Sequence, residues 1–280
     1  MTIAMHILRK KYPIEASLRN GHKLLLRNAL EAHIHGGLQD GFEYDTDNDI
    51  VTISISSHFH DKTKIKLHGG ISNGDVRSIF VDNIYQQLPV KGKTVIDIGA
   101  NIADSSIYFA LCGASKVVGF EPFPKNFQLA QKNIKLNSIS DKITVYLAGC
   151  AADNRDTIVD PDFNGGGASI LKDFGEGIKI PVLTLENILK YNDSLNDDFP
   201  ILKMDCEGCE YETVLSADKH ILQKFSHMMI EYHYGYKNLK EKIEKSGFKV
   251  LTSRPKIYTY TGGSYYRAKL RDGYIIAERY

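Results

Sequence analysis

The chain has no surplus of charge of either sign: 35 lysines and arginines stand against 34 aspartates and glutamates, a formal net charge of +1. That balance excludes a whole-molecule field drawing it to nucleic acid or to a membrane surface. Apolar runs of the roughly eighteen residues that a membrane-spanning helix needs are absent. The opening MTIAMHILRKKYP lacks the apolar core and small-residue cleavage site of a signal peptide, and the resulting expectation is a cytoplasmic protein with no membrane partner. Cysteine is scarce as well. Cys112, Cys150, Cys206 and Cys209 are too few for a disulfide framework in 280 residues. Cys206 and Cys209 have C-x-x-C spacing, but no second pair completes a zinc site and they fall late in the chain, unlike a thioredoxin-type motif; all four are read as small buried thiols. What remains is an ordinary globular composition, 42% apolar and 25% charged, with enough length for a substantial core.

A further absence is informative. The run TVIDIGANIADSSIYFALCGASKVVGFEP, Thr94 to Pro122, reads as strand, glycine turn, helix and second strand, half of a nucleotide-binding sheet. A dinucleotide site would need G-x-G-x-x-G at the turn, so that backbone can approach a pyrophosphate. Here the turn is Gly99-Ala100-Asn101-Ile102-Ala103-Asp104, with the first glycine alone, and Asp104 would set a negative charge beside any phosphate. A cofactor without phosphates fits better. S-adenosylmethionine has a ribose that needs an acceptor pair, which Glu121 supplies at the end of the second strand, and a cationic sulfonium that tolerates carboxylates.

Residues 1–90 read as an N-terminal α+β appendage and 91–280 as the main domain. Pro13 opens an expected helix whose apolar face is Leu18, Leu24, Leu25, Leu26, Ala29 and Leu30, ending at Gly36-Gly37; a hairpin (Gly41–Tyr44 with Ile50–Ile55), a strand (Lys64–His68) and a helix (Val76–Leu88) follow. The appendage is expected to cap the substrate site or to form a dimer face. From Lys91 onward strands and helices alternate, which predicts a parallel sheet covered on both faces. The last two strands, Phe248–Leu251 and Tyr274–Glu278, have no helix between them and are expected to pair antiparallel. The fold class is therefore α/β, a Rossmann-like class I methyltransferase sheet of seven mostly parallel strands with an antiparallel C-terminal hairpin.

Ligands of open α/β sheets bind beyond the carboxyl ends of the strands. Those ends hold Asp97/Gly99/Asn101, Glu121, Gly149 to Asp153, Asp205/Glu207 and Glu231/His233, whereas the strand bodies are Val, Ile, Leu and Met. DIGAN, VVGFEPFPKNFQLAQKNIKLN, the GGGAS loop ahead of VLTLENIL, LKMDCEGCEYETVL and IEYHY, in that order over about residues 73–235, resemble the FkbM family of S-adenosylmethionine-dependent methyltransferases. The family's D-x-E-G-x-E segment is present with Cys206 and Cys209 in its variable places. The resemblance implies that Asp97, Gly99, Ala100 and Asn101 line the methionine part of the cofactor, that Glu121 with Pro122 holds the ribose, and that Ala152 and Asp153 lie at the adenine edge. Phe123 either covers the adenosyl face or packs in the core.

If the acceptor is a hydroxyl, its proton must be removed, and Asp205, Glu207 and His233 are the candidates. Glu207 or His233 is favoured as base, His233 because imidazole needs no perturbation to work near neutrality. Asp205 is assigned an orienting role or a contact to the cofactor amine. Asp205 alone is available to a metal at this point, so none is expected; His33/His35 and His58/His60/Asp61 are read as solvated. The leading function is O-methylation of a small molecule or glycan. RNA methylation is the alternative, supported by the basic arm of residues 9–27 and by the Tyr- and Arg-rich tail Arg254–Arg271. A non-catalytic cofactor- or partner-binding module is a third reading.

Overall fold

The computed structural model of the protein describes residues 14–17, 23–26, 42–45, 47–54, 64–71, 73–165, 169–170, 175–190, 199–262 and 266–280. Strands β1 (Ile14–Ser17) and β2 (Lys23–Leu26) pair antiparallel, Ile14 opposite Leu26. This corrects the expected N-terminal helix: a contiguous leucine run has no period of its own, and here it follows the pairing partner into extended backbone. The histidine pairs at 33–35 and 58–61, and residues 166–167 of the glycine loop, lie outside the described residues.

Strands β3 (Phe42–Asp45), β4 (Ile50–Ser54) and β5 (Lys64–His68) form an antiparallel sheet. Alternation of side chains along β4 and β5 turns Val51, Ile53, Ile65 and Leu67 to one face, where all four are buried. They share a core with Val76, Ile79 and Phe80 of helix α1 (Val76–Phe80) and with residues of the main domain. Helix α1 is one and a half turns, not the thirteen residues expected; the chain leaves it before Asn83, which takes a positive φ of 50°.

The central sheet comprises β6 (Thr94–Ile98), β7 (Lys116–Glu121), β8 (Ile143–Leu147), β12 (Ile201–Met204), β13 (His227–Tyr232), β14 (Phe248–Thr252) and β16 (Tyr266–Arg279), in the order β14-β16-β13-β12-β6-β7-β8. The pairs from β13 through β8 are parallel; β16 inserts antiparallel between β13 and β14. Every residue of β6 and β12 is buried, as central parallel strands covered on both faces require. Strand β15 (Lys256–Gly262) forms a hairpin with the first half of β16, so the expected antiparallel ending holds with one extra strand between its members. Short strands β9 (Gly149–Cys150), β10 (Arg155–Val159) and β11 (Ile178–Leu183) make a separate small sheet.

Helices α2 (Asp104–Leu111), α3 (Pro124–Leu136), α4 (Leu185–Lys190), α5 (Cys209–Ser216), α6 (Lys219–Leu222) and α7 (Lys237–Lys245) complete the main domain. Helix α3 starts on a proline, whose fixed φ suits a first helical residue. It also joins the two parts of the chain. Asn133 accepts from His68 N–H at 2.7 Å and donates to the His68 carbonyl at 3.0 Å, while Asn137 does the same for Lys66 at 3.0 and 2.7 Å. Side-chain amides thus satisfy the edge of β5 that would otherwise invite another strand. Among the described residues, no helix is long and apolar enough to cross a membrane.

Candidate active site

Strand order reverses between β6 and β12, and a cleft opens there beyond the carboxyl ends of β6, β7 and β12. It encloses about 690 Å³ including its mouth. Its floor is set by Gly99, which has a φ of +75° and lies so close to β12 that a Cβ would sit 1.6 Å from the Asp205 carbonyl oxygen. Only glycine fits there, on both counts. Asp97, the polar residue inside β6, is fully buried and does not line the cleft. It stands opposite Lys203 of β12, with Oδ1 2.9 Å from Nζ, and its Oδ2 accepts from the Ser105 and Ser106 hydroxyls at 2.7 and 2.6 Å. Lys203 in turn donates to the Gly99 carbonyl at 2.8 Å. Burial opposes the charge on Lys203, but Asp97 and Asp205 outweigh it and hold the ammonium well above its ordinary range. Asp97 and Lys203 therefore position the turn from below.

Glu121 lines the cleft. Its Oε2 accepts from Asn101 N–H at 2.8 Å and its Oε1 from Phe123 N–H at 2.9 Å, and the Asn126 side-chain amide also hydrogen-bonds the carboxylate. Burial pushes its pKa up to about 7 against those hydrogen bonds. Gly99, Asn101, Pro122 and Phe123 share the wall with it; Phe123 is buried and packs on Phe163 at 4.8 Å between ring centroids, so it both faces the cleft and joins the core. Ala100 is buried away from the opening. At the next strand end the wall is Ala148, Gly149 and Cys150; Ala152 and Asp153 stand beyond it, and Asp153 pairs with Arg155.

Three wall residues come from the N-terminal part: Asp75, Ile79 and Tyr85. Asp75 donates its backbone N–H to Asp104 Oδ2 at 2.7 Å. Burial and the neighbouring Asp75 push the Asp104 carboxyl up to about 7, and burial followed by Asp205 raises Asp75. Among the described residues the lining then holds five carboxyl groups (Asp75, Asp104, Glu121, Asp205 and Glu207) against one ammonium, Lys203. Nothing local in the sequence marks Asp75 as a lining residue.

On the far side of the cleft, Asp205, Glu207 and His233 converge, with ligating atoms all within 4.8 Å. Strand β12 stops at Met204, so the convergence arises from the turn that follows it. Glu207 has a φ of 56° and Gly208 one of 116°, and this curl brings the Cα atoms of Cys206 and Cys209 to 5.5 Å, where the two are joined in a disulfide. That corrects the reading of these two as free thiols; Cys112 and Cys150 are free. His233 Nδ1 lies 2.8 Å from Oε1 of Glu210, a fully buried carboxylate at the start of α5 whose Oε2 accepts from Gly208 N–H at 2.9 Å. Burial alone would lower the His233 pKa, but the hydrogen bond to Glu210 and the charges of Glu210, Glu207 and Asp205 raise it to about 10. The expectation of an unperturbed imidazole titrating near neutrality does not hold. Glu207 is raised by burial to about 7 despite His233. Glu231, beside Tyr274, is raised by burial and by Asp205.

A cleft at the switch point of a parallel sheet with one inserted antiparallel strand, floored by one glycine turn and walled by an acidic strand end, defines a Rossmann-like methyltransferase. Residues 97–250 match the family described as Methyltransferase FkbM domain, more than half of the chain. The chain belongs to the FkbM methyltransferase family. Similar proteins include the uncharacterized protein 158B of Sulfolobus islandicus rod-shaped virus 1, 28% identical over 168 residues that make up 60% of this chain and 78% of the viral protein. Methyltransferase 1 of Beauveria bassiana is 23% identical over 205 residues, 64% of this chain and 82% of that one. Among solved structures, methyltransferase FkbM from Methylobacillus flagellatus KT aligns with 74% of this chain and 48% of its own, at 14% identity and a TM-score of 0.43.

Proposed function

We propose that the protein transfers a methyl group from S-adenosylmethionine to a hydroxyl of a small molecule or glycan. The observation that carries this is the acidity of the cleft: among the described residues five carboxyl groups line it, with one ammonium that is already committed to Asp97 and to the Gly99 carbonyl, and a bound cation favours their ionised form. Such a site favours a cationic donor and repels the phosphates of a dinucleotide or of an RNA backbone. The same charge speaks against RNA as acceptor.

The residues suit the donor. The Glu121 carboxylate in the wall suits the ribose hydroxyls, Gly99 and Asn101 leave room over the turn for the amino-acid part, and Phe123 offers a ring face. When bound, the donor supplies a methyl carbon already activated by its sulfonium. The chain then needs only to orient the acceptor and accept its proton, and the cluster of Asp205, Glu207 and His233, two of which line the cleft, supports that role.

The test is calorimetric titration with S-adenosylhomocysteine, repeated on Glu121→Ala, with NAD as competitor. Expected are micromolar binding, a loss of affinity of at least about tenfold in the variant and no displacement by NAD. Incubation with labelled donor and hydroxylated small molecules, glycans or single-stranded RNA then identifies the acceptor. Absence of binding overturns the cofactor, and label recovered in RNA overturns the acceptor class; tight binding without transfer to any acceptor would favour a non-catalytic module.

A further inference from the structure

We infer that Asp205, Glu207 and His233 form the binding site of one divalent transition-metal ion, placed on the acceptor side of the cleft. Its catalytic meaning rests on the function proposed above; the binding itself does not.

The donors arise from two adjacent parallel strands. Asp205 and Glu207 follow β12, His233 follows β13, and the register of Met204 opposite Ile230 carries the three past the sheet edge together. His233 Nε2 is 3.4 Å from Glu207 Oε2 and 3.8 Å from Asp205 Oδ1. Neither is a hydrogen-bond distance. Both match the spacing of roughly 3 to 4 Å between donors that share an ion at about 2.0 to 2.2 Å each. The imidazole is buried, with 6% of its side chain exposed, so water does not readily serve Nε2 from outside.

The second ring nitrogen supports the assignment independently. Histidine ligands characteristically give their other N–H to a carboxylate, which fixes the ring and strengthens the ligand. Glu210 does this at 2.8 Å with its side chain fully buried, and the Gly208 N–H holds Glu210 in turn. Around one imidazole the structure therefore gathers the carboxylates of Asp205, Glu207 and Glu210, with Glu231 and Asp75 close enough to act on them electrostatically. A dication would balance that charge.

Two oxygen donors and one nitrogen suit Mn²⁺, Fe²⁺ or Zn²⁺ better than Mg²⁺ or Ca²⁺, which prefer oxygen throughout. Three protein ligands leave positions open toward the cleft, into which Asp205 and Glu207 both project. A hydroxyl oxygen, or two vicinal ones, bound there would release its proton to water at the mouth more readily than a free alcohol, and would be held at a fixed place before the methyl group. The sequence reading found one ligand, Asp205, because the others depend on the turn at Glu207 and on the neighbour strand.

The experiment is titration of EDTA-treated protein with Mn²⁺, following the paramagnetic resonance signal of free aqueous Mn²⁺. Expected are one ion per chain and at least about tenfold weaker binding in Glu207→Gln and His233→Gln, with no change in Glu186→Gln, a surface carboxylate paired with Lys190. Mg²⁺ should compete only in large excess. Absence of saturable binding to the parent protein, or equal binding in Glu207→Gln and Glu186→Gln, overturns the site. Glu207 is one-third exposed on a turn, so its variant carries the test should the buried His233 variant fail to fold. Titration of the same samples with S-adenosylhomocysteine separates the two readings: Mn²⁺ bound without it refutes the cofactor, and it bound without Mn²⁺ refutes the ion.

Discussion

Replacement of Lys203 by methionine tests how the cofactor turn is held. The ammonium and the Asp97 carboxylate are 2.9 Å apart with 3% and 0% of their side chains exposed, so removing the cation leaves a carboxylate buried with only the Ser105 and Ser106 hydroxyls to satisfy it. Breaking one side of such a pair costs about 3 to 5 kcal/mol, a large part of the roughly 5 to 15 kcal/mol that stabilises a domain. Removing both charges is far milder, because an apolar or neutral pair avoids the desolvation that the ions suffer. Lys203→Met is therefore expected to lose about 3 to 5 kcal/mol and Asp97→Asn/Lys203→Met to recover at least about 2 kcal/mol of it, measured by urea unfolding with unchanged m-values. The single variant should also bind S-adenosylhomocysteine more weakly, since the Gly99 carbonyl loses its 2.8 Å tether. A single-variant cost below about 1 kcal/mol, or a double variant equal to the sum of the two singles, would refute the reasoning.

Gly99→Ala places a methyl carbon against the Asp205 carbonyl in a left-handed backbone; the Asp205 N–H is also bonded to the Ile98 carbonyl at 3.0 Å, so the strands cannot part. The expected cost is about 2 to 5 kcal/mol from strain and overpacking, with loss of S-adenosylhomocysteine binding in calorimetry; near-parent stability and affinity would contradict the floor described here. Stability should also depend on pH through the buried carboxyls Asp104 and Glu121, both raised to about 7 in the folded chain. A carboxyl with a raised folded pKa holds its proton longer when folded, so its contribution is fully present below the unfolded pKa and lost as pH rises to about 7. Melting temperature should accordingly fall between about pH 4 and about pH 7, and Asp104→Asn should flatten part of that slope. A melting temperature that rises across the interval in the parent, or an unaltered slope in the variant, would refute it.

The placement of the cleft by the fold rationalises why charge concentrates where it does. Strand bodies buried on both faces admit almost no polar group, and Asp97 and Lys203 enter only as a pair in register across β6 and β12. Carboxylates that would be prohibitive inside the sheet gather at its carboxyl edge, each partly desolvated and each raising its neighbours. A cationic donor, and in the inferred site a metal ion, are the partners that relieve such an edge.

The sequence alone determined the sheet. Buried parallel strands write themselves as short β-branched runs between glycine turns, and Thr94–Ile98, Lys116–Glu121, Ile143–Leu147 and Ile201–Met204 stand within a residue of where that pattern puts them. It also marked polar groups at the strand ends, because Glu121, Asp205, Glu207 and His233 break otherwise apolar runs, and the first three line the cleft. Tertiary structure decided what those residues touch. Asp97 looked like a lining residue and is instead tied beneath the floor by Lys203, a partner 106 positions away that only strand register reveals. Asp75 reaches the cleft because asparagine amides on α3 clasp β5, a contact with no local signature. The helix expected near the N-terminus became paired strands because pairing between neighbouring segments outranks weak helix propensity. His233 looked like an ordinary imidazole, and its character is set by Glu210, Glu207 and Asp205, which a turn with two left-handed residues folds around it. Periodicity records burial, which is local; charge and coordination depend on which distant groups the fold brings within a few ångströms.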